Sequence, residues 1–145
     1  VSPITENVVL QHRPWYERYQ PISYKFITRS GNEDEFRDMV RRCNAAGVRI
    51  YVDAVINHMA ARQPGIAIGT AGTIANPYNK SYTSVPYENQ HFHETCDIYD
   101  YMNAYEVRFC ELVGLPDLAQ SEEYVRDRIV ELMNRAIAYG VAGFR

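Results

Sequence analysis

A chain of 145 residues, 46% hydrophobic and 23% charged, has the make-up of a globular protein and excludes intrinsic disorder. A formal net charge of −3 gives no pull toward nucleic acid or an anionic membrane, and no apolar run approaches the roughly 18–20 residues that cross a bilayer. Tyrosine is the compositional oddity, 12 copies against 5 phenylalanines; a ring with a polar edge suits sugar clefts, protein interfaces and loop-rich packing alike.

The chain opens on Val1-Ser2-Pro3, readable as the tail of a strand, with no methionine, signal peptide or transit peptide. Both ends are therefore expected to be cuts through a longer protein. Arg13-Pro14-Trp15-Tyr16-Glu17-Arg18-Tyr19-Gln20-Pro21 is a dense aromatic cluster between prolines, fit either to stack on sugar rings or to anchor a loop through Trp15. A helix is predicted from about Asn32 to Ala46: Phe36, Met39, Val40 and Cys43 form one apolar stripe, Asn32 and Glu35 have capping-box spacing, and Gly47 follows the end. Val48 to Ile56 is β-branched and nearly continuously apolar, as expected of a parallel strand buried on both faces.

From Asn57 to Gln120 no helix is convincing, and loops beyond about 12–15 residues are uncommon, so this stretch reads as a small irregular subdomain inserted after a strand. A second helix is predicted over about Ser121 to Tyr139, with Val125, Ile129, Leu132 and Ala136 on one face, and Val141 to Arg145 reads as another strand in which Gly143 admits a close neighbour. Helix, strand, insert, helix, strand is an α/β alternation. Inserts after parallel strands are where barrel enzymes build their sites.

Asp53-Ala54-Val55-Ile56-Asn57-His58 is the most informative stretch. Period-two alternation sends Asp53, Val55 and Asn57 to one side, with His58 turning out at the strand's end. Polar groups there either cap a turn or serve a site. Arg145 ends its strand as an anion ligand or as partner of a buried carboxylate, for which Asp53 is the candidate, gripped bidentately.

Asp53–His58 resembles the first signature region of the α-amylases, and Gly143–Arg145 the start of their second. The segments Arg13–Pro21, Thr28–Phe36, Cys43–Met59, Val107-Arg108 and Gly114–Leu118 are also very similar to animal α-amylases of glycoside hydrolase family 13. The resemblance implies part of a (β/α)8 TIM barrel, from the end of strand 2 to strand 4. Residues 1–56 and 121–145 would belong to the barrel, and 57–120 to a small domain over strand 3. It implies retaining cleavage of α-1,4-glucan in starch or glycogen by two carboxyl groups, with the nucleophilic aspartate two residues after Arg145. The 145 residues alone are thus expected to be inactive.

The resemblance also implies roles for individual residues. Trp15, Tyr19, Gln20 and Tyr101 match cleft residues, His58 matches a histidine that hydrogen-bonds the sugar at the cleavage point, and Asp53 supports them. Tyr16 replaces a tryptophan, keeping a stacking face with less ring area. Asn57 and Asp117 match side-chain ligands of Ca2+, and Arg108 a main-chain carbonyl ligand. Arg145 matches a ligand of Cl−. Cys96 and Cys110 match a disulfide, consistent with secretion and an extracellular, digestive setting, while the partner of Cys43 would lie before Val1. Phe26 and Ala60 stand at or near positions of a further cysteine pair in vertebrate enzymes, which favours an invertebrate-type member. The whole protein is expected to work as a monomer on oligosaccharides, without nucleic acid or membrane. Asn79-Lys80-Ser81 is a glycosylation sequon. Competing readings are a relative in the same clan, such as a maltase or branching enzyme, and a non-catalytic glucan-binding or interaction protein on the same fold.

Overall fold

The helix begins as the capping residues dictate. In the computed structural model, which describes residues 1–145, α1 spans Glu33–Ala45. Asn32 accepts from the Glu35 backbone N–H (3.0 Å), and the Glu35 carboxylate accepts from the Asn32 N–H (2.8 Å). Gly47, at φ +78°, occupies the left-handed region just beyond the end. α1 leads into β1 (Tyr51–Val52), β2 (Ala67–Ile68) and β3 (Ile74–Ala75) follow as an antiparallel pair, and α2 (Ala104–Phe109), α3 (Glu123–Ala138) and β4 (Gly143–Phe144) complete the order.

β1 and β4 pair in parallel, Tyr51 with Gly143 and Val52 with Phe144. On the other edge of β1 lies Val1: its amino group donates to the Tyr51 carbonyl (2.7 Å), and the Asp53 N–H donates to the Val1 carbonyl (3.0 Å). The N-terminal segment, β1 and β4 are thus three adjacent parallel segments, with α1 and α3 as the intervening crossovers. Val40 of α1 and Val125, Ile129, Leu132 and Ala136 of α3 join Ile50, Val52 and Val141 in one buried core.

Around β1, Ile50 and Val52 are buried with the helices, whereas within these 145 residues Val48 is 52% and Tyr51 60% exposed. The neighbour that Gly143 admits is the Tyr51 ring; a Cβ at Gly143 would lie 3.1 Å from it. One expectation needs correction. The stretch 57–120 does contain a helix. α2 starts at Asn103, whose side chain accepts from the Tyr105 N–H (3.0 Å), and with six residues it is too short for a 3.6-residue period to stand out.

The first 26 residues are stitched to the segment after β1. Val9 donates to the Ile68 carbonyl (2.9 Å), and the buried Glu6 carboxylate accepts from the Ala71 and Thr73 N–H groups (2.9 and 3.1 Å). The Tyr82 hydroxyl, fully buried, donates to the Ala60 carbonyl (2.6 Å). The Ala60 N–H donates to the Pro21 carbonyl (2.8 Å), which holds the end of the Trp15 loop against the stretch that carries His58.

Candidate functional site

Asp53 and Arg145 each follow directly on a strand of the parallel pair, so the register of β1 against β4 brings their side chains together. Arg145 Nη1 donates to Asp53 Oδ2 at 2.7 Å, and the Tyr19 hydroxyl donates to the same oxygen at 2.7 Å. The grip is single, not bidentate as expected: one guanidinium nitrogen reaches one carboxylate oxygen, which Tyr19 also contacts. Asp53 is shielded, with 13% side-chain exposure, while Arg145 is 79% exposed. The hydrogen bond to Asp53, and then burial, hold the Tyr19 hydroxyl above its ordinary pKa, so it stays a proton donor.

His58 turns inward rather than out. It is 9% exposed, and its Nε2–H donates to the Tyr19 carbonyl (2.9 Å). That bond leaves Nδ1 as the acceptor facing the Asn57 amide nitrogen at 3.3 Å. Burial lowers the His58 pKa, with the Tyr19 carbonyl working against it, and the ring is neutral. Gln20, next in the chain, accepts from the Ala61 N–H through its side chain (3.1 Å).

The aromatic loop is a short 3-10 helix, Trp15–Tyr19, with one buried residue, Glu17. Arg13 donates to both Glu17 oxygens (3.0 and 3.2 Å), Leu10 N–H donates to one of them (3.2 Å), and Arg29 lies at 3.5 Å. Burial opposes ionisation of Glu17. The Arg13 hydrogen bond, the Leu10 N–H and the two arginine charges outweigh it, leaving the pKa below its ordinary value. With Glu17 tied inward, Trp15 (71% exposed) and Tyr16 (49%) project outward, and Trp15 meets Tyr16 and Tyr19 edge to face at 5.8 and 6.0 Å.

A second polar group lies beside the first. Asn57 Nδ2 donates to Asp117 Oδ1 (3.1 Å), His93 Nδ1 bonds Asp117 Oδ2 (2.7 Å), and a backbone bridge joins His58 to Asp117. Burial raises the pKa of Asp117, which is 3% exposed, and the bond to His93 opposes that rise. No cluster of three or more His, Cys, Asp or Glu side chains stands ready to hold a metal. A cation here would have to draw on amide and carbonyl oxygens as well.

Trp15, Tyr16, Tyr19, Gln20, Asp53, His58 and Arg145 thus form one connected surface, with Asn57 and Asp117 adjoining it. No hydrogen bond or ring contact joins the Tyr101 or Arg108 side chain to either group; Tyr101 is 63% exposed in the turn before α2, and Arg108 lies in the last turn of α2. Cys96 and Cys110 form the disulfide that the resemblance implies, and Cys43 is unpaired, its sulfur 3.8 Å from Met39. Two supporting residues were not foreseen. Glu17 was readable from the Arg13–Glu17 spacing within the aromatic cluster. His93 carried no local signal, because its contact with Asp117 spans 24 residues.

In comparisons with known proteins, the alpha-amylase-related protein of Drosophila ananassae is 59% identical over all 145 residues, which span 29% of its length. That of Drosophila mauritiana is 58% identical over the same span. A solved structure of a mutant of alpha-amylase I from Eisenia fetida in complex with maltohexaose superposes with a TM-score of 0.95 at 45% identity. It covers 100% of this chain and 31% of that one. An Anoxybacillus alpha-amylase matches with a TM-score of 0.72 at 25% identity, over 99% of this chain and 27% of its own. The chain spans under a third of these relatives, and its three parallel segments are a part of their TIM barrel. The family described as alpha amylase, catalytic domain, matches residues 1–145, and with that match and these relatives the chain belongs to the alpha-amylase family.

Proposed function

We propose that the whole protein is an α-amylase that cleaves internal α-1,4-glucosidic bonds of starch and glycogen with retention. We also propose that these residues form the sugar-facing wall of its cleft. The observation that carries this reading is the Tyr19–Asp53–Arg145 cluster just after two adjacent parallel strands, backed by His58 and flanked by the exposed Trp15 and Tyr16. Barrel enzymes assemble their chemistry at that end of the strands. Family membership and the maltohexaose bound to the Eisenia relative support the substrate class.

Each residue then has a task. Trp15 and Tyr16 offer ring faces to glucose units, Tyr16 with less area than an indole, and Tyr101 adds a face from the opposite wall. The Gln20 amide nitrogen donates to hydroxyl groups, and His58 reaches one once a ring nitrogen gives up its bond to Tyr19 or Asn57. Asp53 holds Tyr19 and Arg145 in position and leaves the remaining guanidinium nitrogens for an anion, for which Cl− is the candidate. The two cleaving carboxyl groups are assigned outside these residues, so the 145-residue piece is expected not to turn over starch.

The pair of Asn57 and Asp117 fits Ca2+. Both are oxygen-bearing, they meet at 3.1 Å, and a 180° turn of the Asn57 amide puts its oxygen beside the Asp117 carboxylate. The Arg108 carbonyl is the third candidate ligand. When bound, the ion would tie residues 57–120, proposed as an inserted small domain, to the barrel segments 1–56 and 121–145. The Cys96–Cys110 disulfide supports an extracellular setting.

The test is to assay the full-length protein on soluble starch and maltohexaose and to follow the anomer first released by NMR. Release of the α-anomer from internal cleavage is expected. A protein that binds the oligosaccharide without cleaving it would instead be a non-catalytic glucan binder, and a preference for maltose would make it a maltase.

A further inference from the structure

The triplet Asn79-Lys80-Ser81 takes no part in the cleft described above. Its geometry is that of a presented acceptor. Residues 76–81 make a tight turn closed by two backbone bonds, Asn76 N–H to the Ser81 carbonyl (2.8 Å) and Ser81 N–H to the Asn76 carbonyl (3.0 Å). Inside the turn Lys80 adopts φ +53° and points inward, 4% exposed. Its ammonium donates to the His93 carbonyl (2.7 Å) and pairs with the buried Glu111 at 3.4 Å. Glu111 is further held by the Thr95 hydroxyl at 3.2 Å and Arg62 at 2.9 Å.

With Lys80 anchored from within, Asn79 before it is exposed, as is Tyr78 (71%), while Ser81 after it is half-buried with its hydroxyl facing Glu88 (3.4 Å). The Asn79 backbone N–H is taken by the Asn76 side chain (3.1 Å), whereas its own carboxamide makes no bond within the chain. The disulfide between Cys96 and Cys110 belongs to an oxidising compartment, where sugar is transferred to such triplets.

We propose that Asn79 is N-glycosylated. The acceptor is its amide nitrogen, and the donor class is an oligosaccharide carried on a membrane-lipid diphosphate. A bond forms between Nδ2 and the anomeric carbon as that carbon's bond to the diphosphate oxygen breaks. The lipid diphosphate leaves with the electron pair, Nδ2 gives up one proton, and nothing is oxidised or reduced. The glycan would stand at the turn's tip beside Tyr78, with the Lys80–Glu111 pair fixing the turn beneath it.

The test uses the full-length protein, fused to a cleavable secretion signal and recovered from the medium of a eukaryotic host. The peptide carrying Asn79 is weighed before and after peptide N-glycosidase. We expect it to carry a glycan mass that the glycosidase removes, leaving Asp in place of Asn79. Ser81→Ala should abolish the glycan, Ser81→Thr should keep it, and Asn79→Gln should remove it with starch hydrolysis unchanged. Recovery of the secreted wild-type peptide mainly unmodified would overturn the proposal, as would a glycan at Asn79 that survives Ser81→Ala. The wild-type peptide decides the matter even if a variant fails to be secreted, and it does so whether or not the protein proves to be an amylase.

Discussion

Asp53 receives two donors on one oxygen, from Tyr19 and from Arg145, so a single carboxylate orients an aromatic wall residue and a cationic group together. Asp53→Asn keeps the shape but places an amide against two donors. In the full-length protein we expect kcat/KM on maltohexaose to fall by roughly 100-fold, since displacement of positioning groups by about an ångström costs that much. Glu17 plays the corresponding part for Trp15 and Tyr16, and its effect is expected in the pH dependence of stability. Its folded pKa lies below the ordinary 4.5, so the folded chain binds fewer protons than the unfolded one. Its stabilisation is complete above about pH 4.5 and is lost as pH falls through the lowered value. Glu17→Gln should cost about 2 kcal/mol at neutral pH through lost charged hydrogen bonds, and thermal unfolding below pH 4.5 should show a shallower acid decline than the wild type.

α1 and α3 were readable because each is long enough to show its apolar face several times and carries its own stop signal. The Asn32–Glu35 box sets the start of α1, and Asn32→Ala should lower stability by about 1 kcal/mol in denaturant titration, with the rest of the helix intact. α2 offered no such repetition. It is held instead by its Asn103 cap and by the Cys96–Cys110 bridge just past its end. Cross-linking across a separation of 14 residues restricts the unfolded chain, so replacing both cysteines by serine should cost about 3 kcal/mol, read as a drop in Tm of the full-length protein. β1 was readable as a strand because β-branched residues announce extended backbone, whereas its pairing with β4, far along the chain, left no local signal.

The whole molecule is organised by three parallel segments with their polar residues emerging at one end, and by a long excursion after β1 folded back over them. The Asn57–Asp117 contact joins the start of that excursion to its far end, 60 residues on. If Ca2+ occupies this pair, adding the ion should raise the Tm of the full-length protein and a chelator should lower it. The gain is about 2.7 kcal/mol at 100 times the Kd, and Asp117→Ala should remove the ion dependence.

The sequence by itself determined the α/β alternation, both long helices with their ends, the strand that leads to Asp53, and membership of a family through motifs at Arg13–Pro21, Asp53–His58 and Gly143–Arg145. Those features depend on local spacing and on residue types that chain neighbours can express. Only the tertiary structure decided that His58 folds in against Tyr19, that Asp53 is shared between Tyr19 and Arg145, and that His93 braces Asp117. Each of these is a contact between residues far apart in the chain. Burial and charge pairing of that kind arise only once the segments have packed.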